Sequence, residues 1–236
     1  MRARYLRWGS TDEELNIALP GDELVPDADL TATRAITVRA PPDGVWPWIA
    51  QLGQGRGGFY SYDFIDNVMG CDIHSADRIV SEWQAVNVGD AVRLHPEVGL
   101  SVAVAEPGRA LVLRGGVPIG RTPAPYDFTW AFVLRGQADG TTRLVVRERY
   151  SYARPSARLL VEPTEFISFV MSRRMLRGIK ERAEHAAVAT STSAATTQRA
   201  PRWLADPTPR RLDRITKLRD IPATTFVGLT ALRSRR

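Results

Sequence analysis

Glu148 is the residue in this sequence best placed to do chemistry. It lies in the run Arg143–Tyr152, whose β-branched and aromatic content reads as a strand. A matching run, Phe128–Arg135, precedes it, and the turn between them contains Asp139-Gly140, a strong hairpin signal. If the turn is symmetric about Ala138, Phe132 faces Leu144, Trp130 faces Val146 and Phe128 faces Glu148. Phe128, Trp130, Phe132, Leu144 and Val146 then form an inward face, with Tyr126 and Tyr150 beside Glu148 and with Arg147 and Arg149 pointing out. A carboxylate on such a face is costly unless it is paired. That makes Glu148 a candidate polar anchor or acid/base group. A one-residue slip of register sends it outward instead, as a solvated or Arg-paired charge.

Tyr60, Tyr62 and Asp63 follow a loop of four glycines, Gly53-Gln54-Gly55-Arg56-Gly57-Gly58. A tyrosine offers a flat apolar body and a polar tip, suited to orienting a ligand. The competing reading has Tyr60 and Tyr62 packing flanking helices onto a sheet and Asp63 serving as a cap or surface charge. The glycines do not form a nucleotide cradle, because the loop lies between two helix-like segments and lacks the strand that such a motif needs before it. Arg56 could meet an anionic group of a ligand.

Cys71, Asp72, His74 and Asp77 cluster in sequence, and His95 is another nitrogen ligand before the last helix. Cys-x-x-His supplies two good zinc ligands, and the second pair of a structural site is missing. Cys71 as a nucleophile with His74 as base is weighed against a buried structural thiol, the commoner role of a single cysteine. No metal and no other cofactor is expected, and no catalytic set is assigned.

The elements that position these residues follow from periodicity. Residues 1–31 are punctuated by Pro20-Gly21 and Pro26 and read as an irregular lead-in. Thr33–Arg39 reads as a strand. Val45, Trp46, Ile49 and Leu52 recur at helical spacing, with Pro47 predicting a kink or a very short helix. Trp46 and Trp48 are expected in the core. Phe64, Ile65, Val68 and Met69 form an apolar stripe that Gly70 ends. Strands are predicted at Ala91–Leu94, Leu100–Ala105 and Ala110–Arg114, then a Gly/Pro-rich loop over 115–125, then the hairpin. From Pro163 to Ala187 a long helix is predicted, with Phe166, Phe169, Val170 and Met171 toward the sheet and Phe166 and Phe169 as ligand contacts. Ala186–Thr197 has the composition of a linker, and residues 198–236 suit disorder or one weak helix near 209–219.

Charge divides the chain the same way. Of its 236 residues, 189–236 hold ten Lys and Arg against three Asp and Glu, a net of +7, whereas 1–188 hold 22 against 23. The nearly neutral body argues against nucleic-acid binding by the main domain, and the basic tail suits weak contact with an anionic surface. One cysteine excludes an internal disulfide and fits a reducing compartment. The N-terminus has no apolar run of a secretion signal, and no segment reads as a membrane span, so a soluble cytoplasmic protein is expected.

The order of elements over roughly residues 33–187 resembles the START-like, helix-grip superfamily, also called SRPBCC or polyketide cyclase/dehydrase and lipid-transport proteins. The junction Ala40-Pro41-Pro42-Asp43-Gly44-Val45-Trp46 looks like that superfamily's first strand-to-helix passage. The blocks Arg56–Asp63 and Gly70–Ile79 look like an uncharacterised bacterial branch. The resemblance implies an α+β helix-grip fold over 32–188: a curved antiparallel sheet wrapped around a long C-terminal helix, with two short helices after the first strand. It also implies a hydrophobic cavity under that helix. The function expected is binding of a small hydrophobic or aromatic ligand by Tyr60, Tyr62, Phe128, Trp130, Glu148, Phe166 and Phe169. Two alternatives stand beside it: a polyketide cyclase/dehydratase-like enzyme using Glu148, a Tyr hydroxyl or His74, and an interaction module working through its basic tail. A cavity with convergent polar groups favours the enzyme, a purely apolar one the carrier, and none above roughly 300 Å³ the interaction module.

Overall fold

The computed structural model describes residues 2–68, 70–116 and 124–198. Met69, most of the 115–125 loop and the basic tail from residue 199 lie outside the described residues, and so do the expectations that fall on them.

The fold is α+β. Six strands form one antiparallel sheet: β1 (Leu30–Val38), β2 (Ala91–His95), β3 (Val98–Glu106), β4 (Ala110–Gly115), β5 (Tyr126–Gly136) and β6 (Thr142–Tyr152), in spatial order β1-β6-β5-β4-β3-β2. Register shifts at Arg93/His95 and Val102/Val104 mark bulges, which bend and twist strands at that end of the sheet. The first strand lies at one edge and the second at the other. The chain between them carries two short helices, α3 (Pro42–Ala50) and α4 (Asp63–Val68), and after β6 come a one-turn helix (Arg158–Val161) and the long helix α6 (Glu165–Gln198). Numbering the remaining helices in chain order, α1 is Arg2–Leu6, α2 is Asp12–Asn16 and α5 is that single turn.

One face of the sheet, α3, the loop after it and α6 share a core that includes Trp48, Ile49, Leu52, Leu113, Phe132, Val146, Leu176 and Ile179. Pro47 does not prevent a nine-residue α3. Trp48 is buried in the core and Trp46 is packed against it.

The lead-in is more ordered than its sequence suggests, and it covers the other face of the sheet. Leu19, Ile17 and Leu24 pack there on Ala35, Val112, Ala131, Val133 and Val145. Its α2 begins with a capping box, the Thr11 hydroxyl accepting from Glu14 N–H and the Glu14 carboxylate accepting from Thr11 N–H. Elsewhere its turns leave carbonyls without regular partners, and arginines of β6 supply the donors. Arg147 donates to the carbonyls of Glu14 (2.6 Å) and Ile17 (3.0 Å) and pairs with Asp22 at 2.5 Å. Arg149 donates to Val25 and Pro26. These two arginines do leave the sheet on the outward face, but Arg147 is buried because the lead-in closes over it. The Trp8 carbonyl also accepts from Ala35 N–H, which covers part of the exposed edge of β1.

The Ala/Ser/Thr-rich stretch after Ala186, of linker composition, continues α6 as far as Gln198. Alanine is the best helix former, and hydroxyls of Thr190 and Ser191 bond back to carbonyls of the preceding turn instead of competing with the helix. Of the apolar stripe at α4, Phe64 and Val68 are exposed, and the side chains of Ile65 and Met69 are outside the described residues. The polar face does the anchoring. Asp63 accepts from Ser75 N–H and hydroxyl, and the Asn67 amide brackets Ile73 with two hydrogen bonds to its backbone.

Candidate functional site

The register of the β5–β6 hairpin sets the site. Phe132 pairs with Val146, Trp130 with Glu148 and Phe128 with Tyr150, a shift of two residues from the symmetric turn about Ala138. The turn is centred on Asp139, with Gln137 N–H donating to the Thr141 carbonyl and Gly140 at φ 81°. Because side chains alternate with a period of two, a shift of two preserves the face. Glu148 therefore points inward with Phe128, Trp130, Phe132, Leu144 and Val146.

Between this face and α6 is a cavity of about 340 Å³. Its sheet wall is aromatic: Phe128 and Tyr150 have ring centroids 4.6 Å apart, and Tyr126 meets Tyr150 edge-on at 5.5 Å. Phe59, from the loop after the glycines, stacks on Trp130 at 6.0 Å and closes one side. Met171 and Met175 line the helix side, and Ser61, Cys71, Ile73 and Leu94 complete the wall.

One end is polar and built around Glu148, which is buried. Arg34 Nη1 donates to Oε1 at 2.7 Å, and the guanidinium is itself buried behind the carboxylate. The Ser172 hydroxyl donates to the same oxygen at 3.1 Å. Oε2 accepts from Ser168 at 3.1 Å and from the Tyr150 hydroxyl at 3.4 Å. Arg34 Nε donates to the Tyr5 carbonyl, so α1 helps to hold it. Burial first, and then the Glu148 charge, push the Tyr150 phenol well above its ordinary range, which keeps its proton on and available to the carboxylate.

Phe128, Trp130 and Glu148 are thus brought together at the cavity; the other four expected contacts are not among the residues lining it. Tyr60 is fully buried in the core, its hydroxyl donating to the Trp48 carbonyl at 3.0 Å and its ring under the Arg182 guanidinium at 4.8 Å. Tyr62 lies at the surface, 42% exposed. Phe166 and Phe169 turn to Tyr5 of α1, at 6.2 and 5.9 Å between centroids, because the lead-in offers the start of α6 a second apolar partner. Arg56 is not free to meet a ligand: it ties the glycine loop to the carbonyls of Ala50 and Trp83. His74 and Asp72 are exposed and 3.4 Å apart, and no group of three His, Cys, Asp or Glu suited to a metal occurs among the described residues.

Sequence reasoning missed Arg34, Ser168 and Ser172. Arg34 could have been found, since it shares its strand face with Ala32, Ile36 and Val38, and an arginine there calls for a buried acid. The two serines sit at i and i+4 on α6 with Met171 and Met175 at i+3 and i+7, one stripe of the helix.

A larger groove of about 780 Å³ lies at the surface beside α1 and α5. Its walls carry Arg2, Arg158 and Glu162, already joined in ion pairs of 3.0 and 2.6 Å. Its lining is charged, and lacks the predominantly apolar walls of a small-molecule site. No described helix is long and apolar enough to cross a membrane.

No protein-family model matches the chain, and no curated protein matches it. Solved structures with a related outline are remote. A protein from Mesorhizobium loti is 14% identical, covering 66% of this chain and 98% of its own, with a TM-score of 0.40. DynU16, a protein of the dynemicin biosynthetic locus, is 20% identical over 63% of this chain at a TM-score of 0.37, and the match spans 46% of DynU16, less than half of its length. Norcoclaurine synthase from Thalictrum flavum is 12% identical over 64% of this chain and 84% of its own, with a TM-score of 0.39. At these scores nothing about ligand or chemistry carries across, and the cavity alone speaks for function.

Proposed function

We propose that this chain binds a small hydrophobic or aromatic molecule between its sheet and α6. One observation carries the reading: an aromatic-walled cavity of about 340 Å³ that ends at a buried, fully hydrogen-bonded Glu148. Apolar walls with a few placed polar groups are the usual make-up of a small-molecule site. A cavity of this size speaks against an interaction module whose interior is filled by its own side chains.

The convergence of Glu148, Tyr150, Ser168 and Ser172 is also what an acid/base site of the polyketide cyclase/dehydratase kind would need. Two features weigh against it. Both oxygens of Glu148 already accept two donors each. A base must be within hydrogen-bond reach of the proton it takes, and these lone pairs are engaged within the protein. His74, the other proton-transfer candidate, is exposed and outside the cavity lining. Glu148 is thus better read as an anchor that orients hydroxyls than as a catalytic base.

Native mass spectrometry of the full chain purified from its host tests the binding reading. The expected result is a co-purifying small organic molecule released on denaturation. Protein that is empty in repeated preparations would count against it.

A further inference from the structure

We infer that the polar end of this cavity is an acceptor-only subsite, selecting ligands that present a hydroxyl or N–H donor over ethers, ketones and carboxylates. The inference rests on the binding reading above and names the ligand class of that same cavity.

The protons of the groups that bond Glu148 can be counted. Glu148, ion-paired with Arg34 at 2.7 Å, is a carboxylate and has none to give. Ser168, Ser172 and Tyr150 carry one hydroxyl proton each, and all three are directed to Glu148. Arg34 is not in the cavity wall; its donors serve Glu148, Ser172 and the Tyr5 carbonyl. What Ser168 and Tyr150 have left to offer is lone pairs. A ligand hydroxyl or N–H finds acceptors there and leaves the network intact. A ligand ether or ketone must draw a proton from Ser168 or Tyr150, which strips a donor from a buried carboxylate, a costly exchange in a low-dielectric site. A ligand carboxylate adds like charge beside Glu148 as well.

Four naphthalene compounds separate the outcomes by titration calorimetry at neutral pH on the full chain: naphthalene, naphthol, methoxynaphthalene and naphthoate. Naphthol is expected to bind about five- to tenfold more tightly than methoxynaphthalene, the scale of one hydrogen bond to a neutral acceptor. Naphthoate is expected to bind least. Tyr150→Phe and Ser168→Ala each remove one acceptor, and the double variant should bring the naphthol to methoxynaphthalene ratio close to one. Methoxynaphthalene or naphthoate binding as tightly as naphthol, or a ratio untouched in the double variant, would overturn the inference and leave the binding reading standing. If not even naphthalene binds, the binding reading falls and takes the inference with it.

Discussion

Arg34 of β1 and Glu148 of β6 lie diagonally across one strand pair, joined Nη1 to Oε1 at 2.7 Å with both side chains buried. A buried pair of this kind contributes little over a well-packed apolar pair, but losing one partner strands the other charge. Arg34→Met alone should cost about 3–5 kcal/mol. The double variant Arg34→Met/Glu148→Met should cost clearly less than the sum of the two singles. Urea unfolding of all four proteins reads the coupling, and additive losses would show that the two residues do not act as a pair.

Gly178 of α6 is expected to resist a substitution that normally helps a helix. A methyl group there would sit 2.7 Å from Tyr60 Cβ, and Tyr60 is itself held at φ 54°, left-handed for a non-glycine residue. In an open helix interior Gly→Ala gains about 1 kcal/mol. Here overpacking should reverse the sign, with a net loss of about 1–3 kcal/mol in Gly178→Ala. Thermal unfolding decides it: a raised midpoint would mean that α6 does not press on Tyr60.

The hold of the lead-in on the sheet should weaken in acid. Burial works to raise the Glu14 carboxyl, but the hydrogen bonds from Arg143 and Thr11 N–H and the Arg143 charge outweigh it, leaving the group below its usual value of 4.5. A depressed folded-state value gives stability that is fully present above 4.5 and is lost as pH falls through the folded value. Comparing the unfolding free energy of the native chain with Glu14→Gln across pH should therefore show a gap that is constant near neutrality and closes in acid. A gap that widens as pH falls would contradict this sign.

The sheet was legible because its strands alternate and its turns are marked by Asp139-Gly140, Pro107-Gly108 and Gly89-Asp90. The register of the hairpin was not, since Asp139 and not Ala138 is its centre; the Asp139 carboxylate accepts from Thr141 N–H and hydroxyl and shapes the turn. The face survived because the error was even. The orientation of α6 was harder to read. Its first turns carry Phe166, Phe169, Val170, Met171 and Met175, too many apolar residues for one face, and the lead-in that claims Phe166 and Phe169 shows no periodicity of its own. The serines toward Glu148 drew no reading for the same reason: their partner lies 20 and 24 residues away in sequence, on another element. Tyr60 was read on residue type, and type alone does not tell a cavity wall from a core.

The most direct test is a fluorescence titration with the neutral probe N-phenyl-1-naphthylamine, comparing the native chain with Met171→Trp, which adds bulk to the helix side of the cavity. Saturable binding to the native chain, weakened at least about tenfold in the variant, which is about 1.4 kcal/mol, is the predicted result. Thermal unfolding of both proteins shows that the variant is still folded. No saturable binding to the native chain, or equal affinity in a folded variant, would contradict a ligand site between the sheet and α6.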